Sequence, residues 1–204
     1  NDFFFSNIKK QNDISEYDSL KPFKFLYVSD FWPYKNHIKL LKGILNASKF
    51  NFPIEIHFVG EKFSKVTNQI EKILNESKFN GTKIYLHGKK NKCDLINFYK
   101  SSDAFVFASS CESFGQIVTE AAYAGLPILC SNKSSMIEIL GKNAFYFDPN
   151  DSLQIEKQLI KFLKSPKQRY INAKNAQKKI KKLSWGLCAK DTFSYILSIE
   201  KSNN

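Results

Sequence analysis

Two glutamates in the stretch CESFGQIVTEAAYAGLPILCS, Glu112 and Glu120, bracket a Phe-Gly pair and run into an apolar segment. Desolvating an unpaired carboxylate is costly, so each needs either a structural partner or a ligand. The strand-like run AFVFAS precedes them, and a helix is expected to begin near Gly115. A helix start presents unpaired N–H groups, here those of Gly115, Gln116 and Ile117, together with about half a positive charge from the macrodipole. Glycine allows close approach of another group, and the combination is a phosphate-binding geometry. Glu112 overhangs the same place, and Glu120 lies one to two turns inside the helix, where its carboxylate can face the cavity floor. Ionised carboxylates only accept hydrogen bonds, so hydroxyl groups are their natural ligands. Phosphates flanked by two hydroxyl-bearing rings would satisfy the set, and a nucleotide sugar has that layout.

The elements that must position these residues alternate along the chain. FKFLYVS, IEIHFVG, KIYLHG, AFVFAS, PILCS and AFYFD read as strands, several of them apolar at consecutive positions, as strands buried on both faces are. Between them lie helix-length segments at 36–49, 64–78, 92–101, 115–124 and 134–140, and after Pro149 the pattern turns all-helical at 152–164, 166–182 and 187–201. This predicts an α/β fold, a Rossmann-like doubly wound parallel sheet of about six strands with helices on both faces and C-terminal helices. Residues 1–22, opening on NDFFFSN, read as a linker or tail, 23–183 as the domain and 184–204 as a C-terminal helix. Gly125 and Pro127 end one helix. Ser135 and Glu138 have capping-box spacing, which gives Glu138 a structural role. In such sheets ligands bind outside the carboxyl ends of the strands. Three loops there carry unusual residues: SDFWPYKN, HGKKNK and SSCESFGQ.

Composition narrows the function classes. The net charge of +12 is almost wholly lysine, Arg169 being the only arginine, and the lysines are scattered. Base readers use arginine forks and clustered basic faces, so no nucleic-acid partner is expected; a weaker pull towards anionic membrane surface or acidic substrate remains. Four cysteines without CxxC spacing and three separated histidines leave no legible metal constellation, and Cys130 reads as a small buried hydrophobe in a reduced, cytoplasmic setting. No apolar run approaches the roughly 20 residues that span a bilayer. The sequence opens on Asn1 rather than Met, which allows for its being a piece excised from a longer chain.

The stretch ESFGQIVTEAAYAGLPILCS resembles the E-x7-E motif of the group 1 (family 4) glycosyltransferases of GT-B fold, in their C-terminal, donor-binding half. YVSDFWPYKN resembles the family's first strand and loop, LHGKKNKCDLINFYKSSDAFVFASS the segment before the motif, and MIEILGKNAFYFDPND and LSWGLCAKDTF the segments after it. The resemblance implies transfer of a sugar from a nucleotide-diphosphate sugar to a saccharide or lipid-linked acceptor, with retention and without metal or other cofactor. It implies that Glu112 meets the donor sugar, that Phe114, Gly115, Gln116 and Ile117 present backbone to sugar and diphosphate, and that Glu120 holds the ribose. Lys35 matches the diphosphate lysine, and His87, Gly88 and Lys89 match the loop beside the nucleobase. Acceptor binding would fall to an N-terminal domain outside this sequence, and the protein would be cytoplasmic, with peripheral association at the inner membrane face also open. Where many members carry an arginine after the first strand, Asp30 stands here. A carboxylate is no phosphate clamp, which leaves Lys89 or Lys90 to compensate. Competing readings are a noncatalytic nucleotide-sugar-binding module, and a sugar epimerase or phosphorylase of the same architecture.

Overall fold

The computed structural model describes residues 7–202; the NDFFFS part of the expected tail lies outside them. Six strands, β1 (Phe23–Val28), β2 (Ile54–Val59), β3 (Thr82–His87), β4 (Ala104–Phe107), β5 (Ile128–Ser131) and β6 (Phe145–Phe147), form one sheet in the order β3-β2-β1-β4-β5-β6. Every pairing is parallel, as the alternating apolar pattern predicts. The central strands are buried on both faces, β4 and β5 at every position, because helices cover them; β3, at the edge, alternates with exposed residues.

The connecting helices are α1 (His37–Ala47), α2 (Ser64–Glu76), α3 (Lys92–Ser101), α4 (Gln116–Tyr123), α5 (Met136–Leu140), α6 (Ser152–Leu163), α7 (Pro166–Ile180) and α8 (Trp185–Ser202). α1 packs between α2 and α6, and α4 and α5 pack on α7. Local sequence explains most boundaries. The Asp151 carboxylate accepts from the N–H groups of Leu153 and Gln154 at 2.9 and 3.0 Å, the Asn91 amide oxygen caps α3, and left-handed Gly125 (φ 77°) ends α4. The capping box expected at Ser135 and Glu138 does not form. Ser135 is already helical (φ −74°, ψ −2°), and from that backbone its hydroxyl makes no cap bond.

The stretch set apart as linker or tail is fastened to the sheet domain in part. Arg169, fully buried, donates from Nε to the Gln11 side chain at 3.0 Å and from its terminal nitrogens to the carbonyls of Asn12, Phe162 and Leu163. Its plane lies 5.0 Å from the centre of the Phe23 ring. Lys9 donates to the Ser102 carbonyl at 2.7 Å, and Ile14 is buried. Among the described residues no helix is long and apolar enough to cross a membrane.

The strand order has one consequence for function. From β1 the chain steps outward through β2 and β3, then returns to lay β4 on the other side of β1. The loops leaving β1 and β4 therefore stand side by side at the carboxyl ends of neighbouring strands, at the point where the strand order reverses, the ligand position in doubly wound sheets.

Candidate active site

The loop after β1 is built to hold Lys35. Pro33 opens a single 3-10 turn, Pro33–Lys35, which Asn36 ends in the left-handed conformation (φ 55°). The Asn36 side-chain amide donates to the carbonyls of Tyr34 and Ala108, both at 3.1 Å, tying this loop to the end of β4. The Tyr27 hydroxyl donates to the Lys35 carbonyl. So anchored, the Lys35 ammonium lies 5.0 and 5.4 Å from the ring centres of Tyr34 and Phe107 and makes a direct ion pair with Glu112. Asp30, which takes the place of the arginine noted above, accepts from the Glu61 N–H at 2.8 Å and joins the loops after β1 and β2.

Glu112 comes from the loop after β4. Ser110 donates its N–H to the Tyr34 carbonyl at 2.9 Å, and the Glu112 N–H donates to the Ser134 hydroxyl at 3.0 Å. Gly115 then begins α4 with φ 74°. A Cβ there would clash only with the Met136 methyl, the end of a flexible side chain that can shift, so it is the left-handed backbone that calls for glycine. No side chain caps the first turn, so beyond the Val118 N–H, which donates to the Gly115 carbonyl at 3.0 Å, its leading N–H groups are left for a ligand or water. Phe114 beside them is 52% exposed.

Glu120 already has partners within the protein. Its carboxylate accepts from the hydroxyl of buried Tyr99 at 3.2 Å, with the Gln116 amide 3.5 Å away, so it leans towards α3. Burial raises its pKa, and the Tyr99 bond works in the opposite direction. His87 also turns aside. It ends β3 with Nε2 3.0 Å from Nδ1 of His57, the two rings stacked at 5.2 Å and the edge of Phe98 against His87. Burial lowers the pKa of both histidines, so neutral rings share that hydrogen bond. Gly88 is exposed with open space where a Cβ would stand.

Between these loops lies a cleft of about 310 Å³, lined among others by Asp30, Trp32, Lys35, Lys89, Lys90 and Ile117. Of the residues named from the sequence, Lys35, Lys89 and Ile117 face it, Glu112 meets it through Lys35, and Phe114, Gly115 and Gln116 form the adjoining helix start. Glu120, His87 and Gly88 are not among its lining residues. A larger groove of about 510 Å³, at Tyr17, Pro53, Phe79 and Lys83, holds none of the candidates. It opens at the amino ends of β2 and β3, away from where ligands sit in such sheets. Among the described residues no cluster of His, Cys, Asp and Glu is arranged to hold a metal ion. Sequence reasoning missed Tyr99, which carries no local signal, and Ser134, whose Ser-Ser-x-x-Glu context reads as a helix cap.

Residues 9–179 match the family of glycosyl transferases group 1. The chain belongs to that family. Among its relatives, O-antigen chain mannosyltransferase B of Escherichia coli is 32% identical over 101 residues, which are 50% of this chain and 26% of that protein. The chain thus spans about a quarter of that relative's length. Among solved structures, a glycosyltransferase from Rickettsia africae superposes with a TM-score of 0.75 at 18% identity, over 95% of this chain and 57% of that one. HepE of Anabaena, solved in complex with UDP and glucose, gives 0.70 at 17% identity over 94% of this chain and 56% of its own. At such identities the likeness is one of fold, and it is the GT-B half that the resemblance implied.

Proposed function

We propose that this chain is the donor-binding half of a glycosyltransferase that moves a sugar from a nucleoside diphosphate to a saccharide or lipid-linked acceptor held by a preceding domain. One observation carries the reading. Lys35 and Glu112, 77 residues apart, meet beside the start of α4 at the switch point of the sheet.

In this reading the donor's phosphates lie on the first turn of α4 and the Lys35 ammonium, and Glu112 accepts from the sugar's hydroxyls. When the anomeric C–O bond breaks, its electron pair goes to the diphosphate. Lys35 and the helix dipole are then fixed where that charge develops, and fixed dipoles and charges need no reorganisation at the moment of reaction. The acceptor hydroxyl supplies the new bond's oxygen, and its proton passes to the departing diphosphate. Lys89, 4.0 Å from the Glu61 carboxylate, and Lys90 line the same cleft and supply the second positive charge of the diphosphate site. Glu120, held by the Tyr99 hydroxyl beside the cleft, accepts from the ribose with the carboxylate capacity that this bond leaves over. Retention of anomeric configuration and independence of metal belong to the same proposal, as does attraction of the lysine-rich surface to an anionic membrane face.

Titration calorimetry of the chain with uridine, UDP, UDP-glucose, GDP and GDP-mannose tests this. Expected is binding of a nucleoside diphosphate at roughly 10 μM to 1 mM, since an open cleft makes few contacts. Lys35→Ala should weaken diphosphates by about 10- to 150-fold, the worth of a charge-assisted bond, and leave the bare nucleoside unaffected. No heat and no NMR shifts with any diphosphate at millimolar concentration would overturn the reading.

A further inference from the structure

Three non-glycine residues among those described have positive φ: Asn36, Asn51 and Ser134. Asn51 closes a distant turn, whereas Asn36 and Ser134 stand on either side of the Lys35–Glu112 pair. Asparagine tolerates this conformation, but serine gains less from it, so Ser134 at φ 54° carries backbone strain. Such strain persists only where the surroundings hold it, and it gathers at functional sites.

What holds Ser134 is its hydroxyl. Oγ accepts from the Glu112 N–H at 3.0 Å and donates to the Ser110 carbonyl at 3.2 Å. Ser110 in turn donates its N–H and its hydroxyl to the Tyr34 carbonyl at 2.9 and 3.1 Å, and the Asn36 amide donates to the same carbonyl at 3.1 Å. One hydroxyl thus joins the loop after β5 to the loop that carries Glu112, which is itself tied to the loop that carries Lys35. The carboxylate of Glu112 is mostly shielded, at 17% exposed, while Ser134 itself is exposed. The serine therefore adds little packing. Its contribution is to fix the backbone from which Glu112 projects.

From this arrangement we infer that Ser134 is a positioning residue: its strained backbone and bridging hydroxyl set Glu112 for recognition of the donor sugar. The inference rests on the donor-binding reading above. A preorganised acceptor loses less on binding than one that must be ordered. Removing the hydroxyl leaves the Glu112 N–H without its acceptor, while Ser110 stays tied to the Tyr34 carbonyl, so the freedom gained is that of Glu112 and the cost falls chiefly on the sugar.

The test compares Ser134→Ala with Ser134→Gly. Both delete the hydroxyl, but alanine keeps the strain and glycine removes it, so the glycine variant should melt higher than the alanine variant. The readout is the affinity ratio between UDP-glucose and UDP, or GDP-mannose and GDP, whichever sugar nucleotide the wild type prefers over its bare diphosphate. In both variants that ratio should fall about 3- to 10-fold, one hydrogen bond's worth. Amide exchange at Glu112 should quicken in both without ligand. If the loss follows melting temperature, so that alanine loses discrimination and glycine keeps it, Ser134 is structural and the inference fails. If both variants discriminate as the wild type does, it fails while the donor reading stands. A wild type that never prefers a sugar nucleotide to its diphosphate overturns both.

Discussion

Replacing Glu112 with glutamine should make the chain bind a bare nucleoside diphosphate more tightly. Read from sequence, Glu112 serves the sugar alone, and its loss should leave the diphosphate untouched. The structure adds that Glu112 occupies Lys35, with side chains only 12% and 17% exposed. Unit charges about 4 Å apart interact by roughly 4 kcal/mol at an effective dielectric of about 20. After desolvation the net worth of such a charged hydrogen bond is about 1.5–3 kcal/mol. An incoming phosphate must displace the carboxylate and forfeits that coupling, so the pair opposes diphosphate binding. Glutamine keeps the shape and part of the hydrogen bond but not the charge. UDP or GDP affinity should therefore rise roughly 5- to 50-fold. The matching sugar nucleotide gains the same relief but loses a carboxylate acceptor for its hydroxyls, about 1–3 kcal/mol, and should change little. Calorimetry with both ligands, beside a melting curve to confirm folding, gives the answer. A folded Glu112→Gln variant that binds neither UDP nor GDP more tightly than the wild type would refute the displacement argument.

Two further outcomes concern the scaffold. Arg169→Lys should cost about 2–4 kcal/mol in chemical denaturation: one ammonium cannot serve Gln11, Asn12, Phe162 and Leu163 together, and buried carbonyls lose their donor. A loss under 1 kcal/mol would show the guanidinium is not the clamp described. His37, stacked on Phe31 at 4.4 Å, has its pKa pushed down to about 3, chiefly by burial. Its unfolded value is near 6.5, so the unfolded chain takes up this proton first as pH falls. The His37 contribution is whole above about pH 6.5 and drains at up to roughly 1.4 kcal/mol per pH unit towards pH 3. His37→Phe, which keeps the stack, should flatten the acid limb of a stability–pH curve; an unchanged slope would assign the acid sensitivity elsewhere.

Much of the fold is local and was legible in the sequence. Strands buried on both faces need consecutive apolar residues, so β1, β4 and β5 announce themselves, and a left-handed glycine followed by proline marks the end of α4 whatever lies around it. The helix start at Gly115 is legible for the same reason, since glycine there answers a backbone requirement. Partners across the fold are not legible, because a pairing between residues 77 apart leaves no mark on either one's neighbours. The strand order alone brings Lys35 to Glu112. Likewise only tertiary packing turned Glu120 to Tyr99, turned His87 to His57, and drew part of the polar N-terminal stretch under Arg169. Ser134 shows the limit most plainly. Its sequence context is that of a helix cap, but with Ser135 already helical no cap bond forms, and the neighbouring hydroxyl is left to bridge the loops that carry the two charges.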